Sequence, residues 1–470
     1  MRKILLTVMA AVLTTVGAAA DDFKTAGDGT VWTLTKLAED AATGLTADGK
    51  TFTMTAGIEI SDGDTFRIED GVTLRMGDGV QLRISGEADF AATERVLITA
   101  TDEAAKPYGL FMDCSKTAVS FTNIDFEQAG IKNFGTAGFT MDNCTFTRHN
   151  GVSGTSAVSL GTDGTSFVIT NCTFEDCNRS AIGGAANYSN PVTIDNCTFR
   201  NNNTANVNAP QINLTTATEV KITNCKIIGN PEHNMCGGIV VSNLVGLTGD
   251  MNTLIEGNEI RDNRFGVATY CEQNATIKGN VIVDNKYEKN AMNGGSGINI
   301  YDPYKTQTTM ITGNYIEGNL WGITVIGGKD VNIGKTEDEN AADYNPGRNV
   351  FLNNGNGGVA YDLYNNSANT VYAQGNYWKS VERQDRESIE TVIFHKNDDA
   401  KLGEVIFMPA LTEDPTAIGS ITGSSRESTT EVYSIDGKRI NRTAGNLTRG
   451  MYIVRTTGEN GIKTRKISVR

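Results

Sequence analysis

Polar and apolar positions repeat through the middle of this chain in one short phrase. The segments FTMDNCTF, FVITNCTF, VTIDNCTF, VKITNCKI, TLIEGNEI, ATIKGNVI and TMITGNYI each alternate apolar and polar residues up to a fixed polar or thiol position. That column is Cys144, Cys172, Cys197, Cys225, Asn258, Asn280, Asn314, Asn349 and Asn376. Two places on stands a large apolar residue, in turn Phe146, Phe174, Phe199, Ile227, Ile260, Ile282, Ile316, Phe351 and Trp378, with Ile124 and Phe126 marking an earlier copy. Five places after the column runs a second ladder, Asn202, Asn230, Asn263, Asn285, Asn319 and Asn354, with His149 and Cys177 in earlier rungs. A short strand then follows, reading GIVV at 238, GVAT at 266, GINI at 297, GITV at 322 and GVAY at 358.

Copies lie 22 to 35 residues apart. A minimal unit of that length, built from strand-period segments with turn insertions, predicts a parallel β-helix in which each coil is one rung. A rung has no core of its own, so each inward side chain stacks on its equivalent about 4.8 Å above and below. Phe and Ile columns gain stacked apolar contact, and Asn columns pair their amides from rung to rung. The expected class is all-β, a parallel β-helix solenoid followed by a small C-terminal β-sandwich-like domain.

The flanking segments set the organisation. Residues 1–20 combine two basic residues, an apolar run from Ile4 to Val16 and small residues at Ala18 and Ala20, which is the pattern of a secretory signal peptide cleaved before Asp21. No other stretch reaches the length of a membrane span, so the mature protein is expected to be exported. Residues 21–50 read as an N-terminal cap, 51–415 as the solenoid and 416–428 as a polar linker. The last segment, 429–470, lacks the rung column and carries three strand-like stretches, TTEVYSIDGKRI, LTRGMYIVR and GIKTRKISVR.

Two resemblances follow from these residues. The tail, through Val432, Tyr433, Gly437 and Lys438, then Leu447, Gly450, Tyr452 and Val454, then Lys466 and Ile467, resembles the C-terminal sorting domain of type IX secretion. It implies the type IX machinery as a partner and a secreted, extracellular or surface-attached location. A small accessory β-domain is the alternative reading. The rungs resemble the right-handed β-helix superfamily of pectate lyases, polygalacturonases, alginate epimerases and NosD-type proteins, which implies the right-handed fold and a carbohydrate partner but assigns no catalytic residue.

Charge narrows the partners. The chain carries a formal −14, yet from Arg426 onward ten Lys and Arg face four Asp and Glu. The acidic body makes nucleic acid a poor partner and would repel a polyanionic glycan unless calcium bridged the charges. Eight cysteines in an exported chain suggest disulfides, but four share a column with Asn, and parallel stacked side chains suit disulfide geometry poorly. Free thiols are expected.

Turns after the rung strand are lengthened at 243–252, 302–308 and 326–346, and that edge gathers Tyr270, Tyr301, Tyr304, Tyr344, Tyr361 and Tyr364. Tyr270, Tyr301, Tyr304, Tyr361 and Tyr364 would form a stacking platform for sugar rings, or else pack their own turns. YDPY at 301 and YDLY at 361 look like copies of one element, which would set Asp302 and Asp362 two rungs apart, about 9–10 Å, near the separation of an inverting glycosidase pair. A second cluster joins Arg261, Arg264 and Lys278, as uronate-neutralising or proton-abstracting groups, to Glu256, Asp262 and Asp284 as calcium ligands. A solvated ladder of alternating charge explains the same residues. Calcium is the one cofactor these readings admit. The two serious function classes are a non-catalytic glycan-binding or adhesive surface protein and a polysaccharide lyase or hydrolase; a purely structural spacer is a third.

Overall fold

A computed structural model describes residues 22–415, apart from 153–154, 162–164, 185–189, 216, 244–250 and 289, and the backbone of strands within 429–469. The chain divides into two units, Met1–Thr416 and Ala417–Arg470. The signal segment, the linker at 416–428 and the side chains of the tail lie outside the described residues.

In the first unit, 38 strands join one hydrogen-bonded array whose pairings, apart from Leu45–Asp48 with Thr51–Met54, are parallel. Three columns of inward residues define three faces. The first runs Ile58, Leu82, Leu110, Ile131, Val158, Ile182, Ile212, Ile239, Val267, Ile298, Ile323, Leu363 and Ile393. The second carries Phe139, Phe167, Val192 and Val220 onward to Val331, Val371 and Val405. The third is the aromatic and isoleucine column expected from the sequence, Phe126 through Phe351 to Trp378.

Stacking sets the geometry of that third column. Phe126 and Phe146 lie 4.4 Å apart at 6°, Phe146 and Phe174 5.0 Å at 8°, and Phe174 and Phe199 5.0 Å at 0°. All are buried. The polar columns behave as expected too. Asn258, Asn280, Asn314 and Asn349 each donate the side-chain amide to the Oδ1 of the next rung at 2.8–2.9 Å, while that oxygen also accepts the backbone N–H of the same donating asparagine. The four thiols continue this column, each sulfur lying 3.4 Å from the backbone nitrogen of the preceding rung for Cys172, Cys197 and Cys225. All eight cysteines are free and buried, as stacked side chains predict.

One strand differs from its sequence expectation. GVAY at 358 is not a rung strand: Val359–Ala360 turns back antiparallel on Gly355–Asn356, and the rung strand is Leu363–Asn365. The chain start pairs with the first rungs, Phe23–Lys24 on Ile58–Ile60 and Val31–Trp32 on Thr65–Arg67, and the helix Leu34–Ala38 places Leu34 and Leu37 in the core.

The second unit forms one antiparallel sheet of four strands, Arg439–Ile440 beside Thr429–Ser434, then Gly450–Gly458 and Gly461–Val469. The first of the three expected stretches is split in two, and among the described residues there is a single sheet where a sandwich-like pair was expected.

Candidate functional site

Outward side chains of the first face stack in register as the inward ones do. Val240, Ala268, Asn299, Thr324 and Tyr364 form one column. Ser296, Trp321 and, one residue before Asp362, Tyr361 stand at the strand start, while Tyr270, Tyr301 and Ile326 stand at its end. Small residues at 268, 299 and 324 leave a trough between bulky flanks. The result is a groove of about 280 Å³.

One wall is the turn between the third and first faces. Its short 3-10 helix Ala291–Asn293 is capped by Asn290, whose side chain accepts from Met292 N–H. The Trp321 indole donates to Ala291 O at 2.8 Å and fastens this turn to the sheet. Gly295, at φ +89, lies where an added Cβ would sit 2.5 Å from Leu320, so glycine is required for the turn to descend this close. The rings of Trp321 and Tyr364 stack at 5.2 Å, Trp321 and Tyr361 meet at 4.5 Å, and Tyr364 meets Phe394 edge-on at 5.1 Å.

Arg264 closes one end. Its side chain is 9% exposed and pairs with Glu288, 8% exposed, at 2.7 Å. It also donates to Asn208 Oδ1 at 2.6 Å and to Asn293 O at 2.7 Å. The groove's cation is therefore neutralised beneath its surface. Burial pushes the Tyr270 phenol up from its ordinary value, against a hydrogen bond with Asn299. Among the described residues lining the groove there is no Asp, Glu or His. It offers aromatic faces, amides and hydroxyls.

The structure gathers only some of the residues singled out in the sequence. Arg264, Tyr270 and Tyr364 line the groove, Tyr301 packs on Tyr270 at 5.6 Å and Tyr361 packs on Trp321. Tyr304 is 72% exposed and outside it. Arg261 and Lys278 are elsewhere, Arg261 on a strand of the third face beside Glu259 and Asp262, and Lys278 on one of the second face beside Glu256. Trp321, Asn299 and the wall at 290–295 were not singled out. Trp321 could have been found from its place just before GITV. The turn before a rung strand, rather than the lengthened turns after it, builds the wall.

Two expectations are corrected. Asp302 and Asp362 do not occupy matching places: Asp302 stands in register with Gly327 at the strand end, whereas Asp362 precedes Leu363 and faces Gly322 at the strand start. The hairpin at 355–360 shifts the apparent copy. Both carboxyls are fully buried. Asp302 accepts the N–H groups of Tyr304, Thr306 and Gln307 at 3.1, 2.5 and 2.5 Å, and Asp362 accepts from Asn354. Nor do Glu256, Asp262 and Asp284 converge as calcium ligands. Each is engaged by its own cation, Lys278 at 3.2 Å, Arg261 at 2.5 Å and Lys286 at 2.6 Å, and no cluster of three or more metal-ligating side chains occurs among the described residues.

The repeat and its three faces have a counterpart among known families. A model described as "Right handed beta helix region" matches residues 50–208 and 195–338, more than half of the chain. The chain belongs to the right-handed β-helix family. A comparison with curated proteins finds no match. Similar solved structures include the periplasmic alginate epimerase AlgG, 11% identical over 80% of this chain and 76% of that one with a TM-score of 0.36. They also include a Dettilon tailspike protein (gp208), 13% identical over 87% of this chain and 71% of that one with a TM-score of 0.26. Neither likeness bears on what this β-helix binds. Among the described residues no helix is long and apolar enough to cross a membrane.

Proposed function

We propose that this β-helix protein is an exported, non-catalytic glycan-binding protein, and that the groove around Trp321 holds a neutral pyranose of its ligand. The observation that carries this reading is the pairing of stacked aromatic faces with a fully neutralised cation. Trp321 and Tyr364 supply ring surface for the C–H face of a sugar. Asn299, Ser296 and Thr324 supply polar groups beside them, and Ser296 and Thr324 already bond each other at 2.9 Å. Glu288 cancels Arg264, so a uronate would find no net charge to meet. The alternative activity, lyase or hydrolase, needs an acid and base within reach of substrate; the groove's described lining holds no Asp, Glu or His, and its Arg264 is already paired with Glu288.

Export and surface location rest on the N-terminal apolar segment and on the tail motif from Val432 to Ile467. Deleting 429–470 in a host with type IX secretion should leave the protein inside the outer membrane; unchanged export would make the tail an accessory domain.

The deciding experiment passes the full chain over immobilised neutral and uronate polysaccharides, with calcium and with chelator, while reducing ends and unsaturated products are followed. Retention on a neutral glycan without product is expected, and Trp321→Ala should weaken it by at least about tenfold. Chain cleavage would make the protein an enzyme. Undiminished retention by Trp321→Ala would move the site elsewhere.

A further inference from the structure

The same face carries a second aromatic cluster near its N-terminal end. Phe111 and Lys132 are register partners on adjacent rungs, and both point outward, alternating with buried Leu110, Met112, Ile131 and Asn133. Tyr108 meets Phe111 edge-on at 6.3 Å, and Phe111 meets Phe134 at 5.4 Å. Tyr108 is 41% exposed and Phe134 40%. Single exposed apolar residues are ordinary, but three contiguous rings form a patch of the kind that marks a contact surface.

A cation sits on this patch. Lys132 Nζ lies 4.9 Å from the ring centre of Phe134 and 5.7 Å from that of Phe111. Arg83, two rungs away in the same column and next to Phe111, is occupied by Asp113. Lys132 forms no ion pair among the described residues. It differs in this from Arg264 in the groove, whose charge is cancelled in place.

We infer that Tyr108, Phe111, Phe134 and Lys132 form a second sugar site, selective for a pyranose bearing a carboxylate. The rings offer a stacking face, and an ammonium held over two of them presents its outward N–H donors to an anion at the edge of the stacked sugar. The charge of the whole chain refines the ligand. A formal −14 repels a densely charged polymer, whereas an isolated carboxylate feels chiefly what lies within a screening length of about 8 Å. The fitting ligand is therefore a largely neutral glycan studded with single uronic acids. Lys132 and Ala268 of the groove are five rungs apart in one column, about 24 Å at the strand spacing, so the site stands or falls independently of the groove.

Glucuronoxylan and its carboxyl-reduced form provide the test with the full chain. Glucuronoxylan should be retained about tenfold more strongly than the reduced polymer. Lys132→Gln should erase that difference, Lys132→Arg should restore it, and Phe134→Ala should weaken both interactions. Trp321→Ala should leave the difference intact, which separates this site from the groove. Equal retention of the two polymers, or a difference untouched by Lys132→Gln, overturns the inference. So does a shift in sedimentation on Phe134→Ala with glucuronoxylan binding unchanged, since the patch would then be covered by a second copy.

Discussion

Asn354 donates its side-chain amide to Asp362 Oδ1 at 2.9 Å, and this bond ends a ladder. Asn263 passes its amide to Asn285, Asn285 to Asn319 and Asn319 to Asn354 at 2.9–3.1 Å. The next acceptor is an aspartate rather than an asparagine. Burial pushes the Asp362 carboxyl up to about 6, against the hydrogen bonds from Asn354.

That shift fixes a pH dependence. The folded chain holds the Asp362 proton more tightly than the unfolded chain, whose carboxyl titrates near 3.8. Its contribution is full below about 4 and is lost as pH rises through about 6. Asp362→Asn, which restores the amide used elsewhere in the ladder, should flatten this slope and raise stability near pH 7.5 by about 2 kcal/mol. Denaturant melts of both proteins from pH 4 to 8 check this; parallel curves would show that Asp362 does not carry the slope.

The first ladder predicts a difference between its two halves. Asn280 accepts both the amide and the backbone N–H of Asn258 and donates to Ile255 O. Asn280→Ala strands these buried groups and should cost about 3 kcal/mol or more. Cys197→Ala removes only sulfur contacts, with the backbone N–H of Cys172 and with carbonyls, and should cost about 1 kcal/mol. Burial pushes the Cys177 and Cys236 thiols up to about 12, so a thiol reagent should label neither before unfolding. The two midpoints and a labelling time course decide the matter, and rapid labelling of either thiol in the native protein would contradict the burial.

Glu288 keeps the groove neutral, and its removal should show twice. Glu288→Gln leaves Arg264 charged in a site where its side chain is 9% exposed, at a cost of about 3 kcal/mol. The same change gives the groove a net positive charge. Glycan retention should then shift from neutral toward uronate polymers, with the shift shrinking as salt is raised. A variant destabilised as expected but unchanged in glycan preference would mean that Arg264 does not reach the ligand.

The sequence exposed the solenoid because every inward column repeats its own chemistry. Phe174 lies on Phe199 and Asn280 on Asn314, and such like-on-like stacking survives variable turn lengths. Outward columns are under no such rule. Asn299, Thr324 and Tyr364 share a column without resembling one another, so only strand register brings them together. The wall at 290–295 has no repeat at all. Its ties to its surroundings are single bonds from Trp321 to Ala291 and Gly295 and from Arg264 to Asn293. The apparent copy YDPY and YDLY misled because the hairpin Gly355–Asn356 with Val359–Ala360 displaces the second by part of a strand. Buried carboxylates in turns look, in sequence, like catalytic ones.

Asp302 makes that last distinction measurable. Its carboxylate gathers three backbone N–H groups of the turn that follows, and the hydroxyl of Thr306 lies 3.3 Å from one oxygen. Gly327 on the next rung sits so close that a Cβ there would meet Asp302 O at 2.0 Å, so only glycine fits beside this turn. A group used this way acts on stability. Asp302→Asn keeps one acceptor oxygen but loses the charge and the second acceptor, and should lower unfolding free energy by about 1–3 kcal/mol. Retention on glycan and any turnover should not change, because the carboxyl is fully buried. Denaturant melts beside glycan retention test the claim. Unchanged stability together with lost retention would return Asp302 to the binding surface.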